Sequence, residues 1–122
     1  KILVVDDNEG LNTVLVDKFN FSGFEAIGAV DGEDGLKKAL EFHPDMILLD
    51  LVMPKMGGMD MLKKLREDAW GKDAKVMILT LLNEADNMAK VMENNILGYF
   101  VKTSHNLDEI VDKIKEIFKM PK

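Results

Sequence analysis

The chain has no cysteine, one Trp, one Tyr and three Pro among its 122 residues. Without thiols there is no disulfide framework and no thiolate chemistry, a usage compatible with a reducing compartment. Positive charge is scarce as well: 16 Lys and Arg stand against 22 Asp and Glu, leaving a net charge of −6 and a pI near 4.9. That balance argues against direct nucleic-acid binding, and no basic cluster offsets it. Long hydrophobic runs are missing too. None approaches the ~20 apolar residues that cross a bilayer, and no charged-then-apolar leader precedes the first strand-like run. No membrane partner and a cytoplasmic location are therefore expected. What is present, 47% hydrophobic and 31% charged residues, is the composition of a globular protein. The length suits one sizeable core, so one domain over residues 1–122 is expected. The first strand-like run begins without Met, which leaves a neighbouring domain open.

Five short apolar runs have strand character: "KILVV" (1–5), "FEAIGAV" (24–30), "DMILL" (45–49), "KVMIL" (75–79) and "GYFV" (98–101). Between and after them lie stripes of helical period. Leu11, Leu15 and Phe19 form the first, and Leu36, Ala39 and Leu40 the second. Leu62 with Leu65, then Ala85, Met88, Ala89 and Met92, follow. Leu107, Ile110, Val111, Ile114, Ile117 and Phe118 form the last. Alternation of strand and helix predicts an α/β fold, a parallel sheet with right-handed crossovers and helices on both faces. Runs without polar alternation, such as "ILVV" and "MILL", fit a sheet covered on both sides. The punctuation agrees: Gly23 follows the first helix, Asp31-Gly32 opens the second, Pro44 ends it, and Asn106 with Glu109 makes a capping pair for the last. Trp70, in the polar connection 66–75, is expected to cover an edge of the core.

In an open parallel sheet the carboxyl ends of the strands share one edge, where ligands bind. The first run ends in Asp6-Asp7, the third in Asp50, the fourth in Thr80 and the fifth in Lys102. Each has a plain reading taken singly: Asp50 as a turn or cap, Asp6-Asp7 with "NE" as a helix-start signal, Lys102 and Thr80 as surface groups. Together they predict carboxylates close enough to repel unless a cation sits between them. Hard oxygen donors suit Mg²⁺. A carboxylate beside that ion is a nucleophile toward phosphorus, giving an aspartyl phosphate, with Lys102 and Thr80 gripping the phosphoryl oxygens.

The motifs "VVDDNE", "DGEDGL", "PDMILLDLVMPKMGG", "MILT" and "GYFVKT", spread over essentially the whole chain, resemble the receiver domains of two-component response regulators. The resemblance implies a doubly wound sheet of flavodoxin-like order 2-1-3-4-5 with five flanking helices. It implies that Asp50 accepts a phosphoryl group from the phosphohistidine of a sensor histidine kinase or phosphotransfer protein. Asp6, Asp7, Asp50 and the backbone carbonyl of Val52 would hold Mg²⁺, and Lys102 would pair with the phosphoryl oxygens. Thr80 would move toward that group, and Tyr99 would turn into the space vacated. Pro54 and Gly58 would shape the loop leaving the site. Such a domain is no turnover enzyme; it catalyses only its own phosphorylation and dephosphorylation. Its readout would lie on the face of the fourth helix, fifth strand and fifth helix, with Val91, Asn95, Tyr99 and Lys113. A downstream protein or an output domain would read that face, which also allows a transient homodimer.

The chain departs from the family pattern at two positions. Leu81 stands where a small residue is common and narrows access to Asp50. Thr103 stands where a proline follows the lysine, and a non-proline cis bond would cost ~3 kcal/mol. Apolar Val52 and Leu82 near the attacking water suggest slow hydrolysis of the phosphorylated form. Three rivals follow. A haloacid-dehalogenase-like phosphatase needs a second acid where this chain has Val52. A flavodoxin-like carrier needs a neutral phosphate loop where this chain has "DDNEG". A degenerate receiver, binding partners without phosphorylation, is the alternative kept.

Overall fold

The computed structural model describes residues 1–51, 53, 56–80, 96–101 and 106–119, with Thr80 described by its backbone alone. Five strands run β1 (Ile2–Val5), β2 (Ala26–Ala29), β3 (Met46–Asp50), β4 (Val76–Thr80) and β5 (Gly98–Val101). All pair in parallel, in the order β2-β1-β3-β4-β5. The described helices are α1 (Glu9–Phe21), α2 (Gly32–Phe42), α3 (Gly58–Glu67) and α4 (Leu107–Ile117), with a 3₁₀ turn at Gly71–Asp73. Four helices are thus described where five were expected; the stripe from Ala85 to Met92 lies outside the described residues.

Strand residues alternate between two cores because successive side chains leave opposite faces of a strand. Leu3, Val5, Ile47, Leu49, Val76 and Ile78 pack with Ala39, Met61, Leu62 and Leu65 on the α2/α3 face. Ile2, Val4, Met46, Leu48, Met77 and Leu79 pack with Leu15, Phe19, Ile110, Val111 and Ile114 on the α1/α4 face. Among the described residues the helical stripes therefore point where their periods require, with one exception. Leu40 is exposed, and the inner face of α2 is completed instead by Gly32 and Gly35. Small residues there let α2 lie close: a Cβ on Gly35 would meet Val5 Cγ1 at 2.8 Å.

Polar side chains set the element ends. Asn8 Oδ1 accepts from Leu11 N to cap α1 at 3.1 Å. Asp31 Oδ1 accepts from Asp34 N at 2.8 Å to cap α2, and Asn106 Oδ1 accepts from Glu109 N at 2.8 Å to cap α4. His43 closes α2 in the left-handed region at φ 49° and stacks on Trp70, ring centroids 4.3 Å apart. Trp70 also packs against the α2/α3 core, the edge position expected for it. An open sheet exposes edge hydrogen-bonding groups that invite pairing with another chain. Here Asn20 from α1 accepts from Ala26 N at 2.8 Å and donates to Ala26 O at 3.2 Å. Lys38 from α2 donates to Gly28 O at 2.7 Å. Side chains occupy those outward-facing groups of β2, so the edge strand is shielded without a further strand.

Candidate functional site

Parallel register decides what meets at the carboxyl edge. Val5 of β1 pairs with Leu49 of β3, so the next residue of each strand, Asp6 and Asp50, lies beside the other. Asp7 follows at once, and the three carboxylates offer oxygens that all lie within 4.8 Å of one another. Asp6 and Asp50 are buried while Asp7 is exposed, so the cluster is enclosed from the sheet side and open toward solvent. On the other flank Asp50 pairs with Leu79 of β4, and Thr80 pairs with Val101 of β5. The backbone thus brings Thr80 and the residue before Lys102 to the same edge.

Asp6 is fixed by contacts on either side of its own peptide units. Its N–H donates to Ala29 O at 3.0 Å. Its Oδ1 accepts from Asn8 N at 2.9 Å, and its carbonyl accepts from Asn12 Nδ2 at 3.1 Å. Helix α1 starts at Glu9, so the positive end of its dipole also faces this acidic corner. Asp50 is held by the turn behind it, where Gly58 N donates to Leu51 O at 2.9 Å. A Cβ on Gly58 would sit 2.3 Å from Asp50 O, so the loop packs this tightly only because residue 58 lacks one.

The donor set fits a hard divalent cation. At an effective dielectric near 20, each like-charged pair about 4–5 Å apart costs ~3–4 kcal/mol, and a cation placed among them turns that repulsion into attraction. Carboxylate oxygen with an open solvent side suits Mg²⁺, which keeps part of its water shell.

The expected site residues divide as follows. Asp6, Asp7 and Asp50 are brought together. Tyr99 lies on β5, 42% exposed, beside Leu97 and Lys113 in a groove of ≈ 560 Å³ between β5 and α4. Val52, Pro54, Leu81, Leu82, Val91, Asn95, Lys102 and Thr103 lie outside the described residues, as does the side chain of Thr80. One residue at the site escaped the sequence reading: Asn12, buried in α1 with its amide on the ends of β1 and β2. Its signal was a polar residue three before Leu15 and seven before Phe19, on the apolar stripe itself.

A family model described as the response regulator receiver domain matches residues 2–115. Response regulator GacA of Pseudomonas aeruginosa is 35% identical over 123 aligned positions, covering 97% of this chain and 55% of that protein. Sporulation initiation phosphotransferase F of Bacillus subtilis is 33% identical over 116 positions, covering 95% of this chain and 91% of that protein. The chain therefore spans about half the length of the first relative and most of the second. Among solved structures, response regulator protein TrrA of Thermotoga maritima, in complex with Mg²⁺ and BeF, matches with a TM-score of 0.79 and 32% identity, covering 95% of this chain and 96% of that one. Among the described residues no helix is long and apolar enough to cross a membrane.

Proposed function

We propose, from the premise that the chain belongs to the response regulator receiver domain family, that Asp50 is its phosphoacceptor. The observation that carries this is the meeting of Asp6, Asp7 and Asp50 at the carboxyl edge of the sheet. A carboxylate oxygen of Asp50 attacks phosphorus of a phosphohistidine on a sensor kinase or phosphotransfer protein. The O–P bond forms as the P–N bond breaks, and the departing imidazole nitrogen keeps the electron pair and takes up a proton. Asp6, Asp7, Asp50 and the Val52 carbonyl would hold Mg²⁺, which when bound would supply charge neutralisation for the transferring group. The relative solved with Mg²⁺ and BeF, an inorganic stand-in for a phosphoryl group, supports the same ligand chemistry here.

Burial of Asp6 and Asp50 strengthens every charge interaction at this edge relative to water. Lys102 pairs with the phosphoryl oxygens and Thr80 moves to hydrogen-bond them. Tyr99 then turns inward from its exposed position, and the change is read by a downstream protein, an output domain or a second copy on the face that the expected fourth helix, carrying Ala85 to Met92, forms with β5 and the last helix, α4. Phosphate acts by changing the populations of two conformations through differential contacts. Leu81, Leu82 and Val52 restrict the hydrolytic water, so the acyl phosphate decays slowly.

Intact mass after incubation with Mg²⁺ and acetyl phosphate tests the reading. One labile phosphoryl addition is expected on the parent and none on Asp50→Asn. No addition with any donor would leave the degenerate binding module, which the departures at Leu81 and Thr103 favour. Decay within seconds in Mg²⁺ without a phosphatase would overturn the slow-hydrolysis expectation.

A further inference from the structure

We propose that Asn12 is a positioning residue for the acidic cluster, acting through the peptide that joins Asp6 to Asp7. This rests on the reading that Asp6, Asp7 and Asp50 hold Mg²⁺. Asn12 Nδ2 donates to Val4 O at 3.2 Å, to Asp6 O at 3.1 Å and to Ala29 O at 2.8 Å. The amide carries two N–H groups, so one is shared between acceptors, and three carbonyls converging on one atom require that it be the nitrogen. The side chain is 6% exposed, and a buried donor of this kind is costly unless its hydrogen bonds are made. Its own N–H donates to Asn8 O at 2.9 Å, which ties the grip to the first turn of α1.

The consequence lies past the end of β1. Strand pairing stops at Val5, yet Asp6 and Asp7 must present their carboxylates in fixed directions to one ion. The Asp6 carbonyl belongs to the peptide plane that leads into Asp7. Asn12 fixes that plane, and with it the direction from one carboxylate to the next. It also grips Ala29 O, which accepts from Asp6 N at 3.0 Å, so the same amide ties the acidic corner to β2.

Gly28 completes the device. A Cβ there would stand 2.0 Å from Asn12 Oδ1 and 3.0 Å from its Cγ. Glycine inside a strand often marks the close approach of another group, and here that group is the Asn12 amide. An alanine at residue 28 therefore displaces Asn12 without altering Asn12 or any carboxylate.

The test is a Mg²⁺ titration followed by amide NMR on the parent, Asn12→Ala, Gly28→Ala and the double variant. Ile114→Val, in the α1/α4 core, serves as a remote destabilised control, and urea midpoints are measured for all five. Loss of a group that orients metal ligands weakens binding by about tenfold. That rise in Kd is expected for both single variants. The double variant should be no worse than either, because the shortened side chain at residue 12 leaves room for the methyl group added at residue 28. Ile114→Val should keep the parent Kd. Parent-like Kd values in both single variants would overturn the proposal and leave Asn12 as a tie of the fold alone. Full additivity in the double variant would also overturn it. A parent that binds no Mg²⁺ would instead sink the metal reading beneath it.

Discussion

In Mg²⁺ at about a hundred times its dissociation constant, the parent chain should gain ~2.7 kcal/mol of unfolding free energy, while Asp7→Asn should gain almost none. The comparison turns on where the charges sit. Asp6 and Asp50 are buried, whereas Asp7 is exposed, and all three offer oxygens within 4.8 Å of one another. On the proposed Mg²⁺ reading, removing the exposed member deletes one ligand with little disturbance to packing. It also relieves two repulsions, so without divalent cation Asp7→Asn should be the more stable protein by about 1 kcal/mol, the ~3–4 kcal/mol per pair at an effective dielectric near 20 being reduced by screening at an exposed group. The two stability curves then cross as Mg²⁺ is added. Urea denaturation at fixed ionic strength reads this directly, with NaCl in place of MgCl₂ to separate screening from binding. Equal stabilisation of both proteins by Mg²⁺ would show that the ion acts on the surface at large and not at the cluster.

The residues that make this prediction were legible in the sequence because their information is local. Each carboxylate directly ends or follows an apolar run, and a parallel sheet places all such ends along one edge. The helix caps were legible for the same reason: Asn106 and Glu109 stand three residues apart, Asn106 Oδ1 accepts from Glu109 N as a cap should, and Glu109 Oε1 accepts from the Asn106 side-chain amide. Asn12 was not. Periodicity identifies which face a helix buries, but not that a polar residue on that face will find a carbonyl 17 positions away at Ala29. The shielding of β2 by Asn20 and Lys38 was hidden likewise, since both residues read as ordinary polar positions until the edge of the sheet is known. Leu40 shows the converse error. Its spacing placed it with Ala39, but Gly32 and Gly35 bring the helix down on a different line and leave Leu40 outside.

Two glycine-to-alanine substitutions should move stability in opposite directions. Gly10 lies in the first turn of α1, and a Cβ there meets only Asn8 Oδ1, at an ordinary 3.5 Å. Alanine fits that backbone and reduces the freedom of the unfolded chain, so Gly10→Ala should stabilise by about 0.4–1 kcal/mol. Gly58 opens α3, and its Cβ would lie 2.3 Å from Asp50 O, 2.8 Å from Leu51 Cα and 3.0 Å from Asp50 C. Every one of those atoms is backbone, so no side-chain rotation relieves the clash. The loop or the end of β3 must shift, which places Gly58→Ala near the top of the overpacking range, a loss of ~3 kcal/mol. Because the displaced atoms carry Asp50, the loss should come with a weaker Mg²⁺ response, whereas Gly10→Ala should keep the parent response. Urea midpoints with and without Mg²⁺ separate the two effects. A Gly58→Ala protein as stable as Gly10→Ala would mean that the turn after Asp50 has room to move, and that the carboxylate is not held by the backbone behind it.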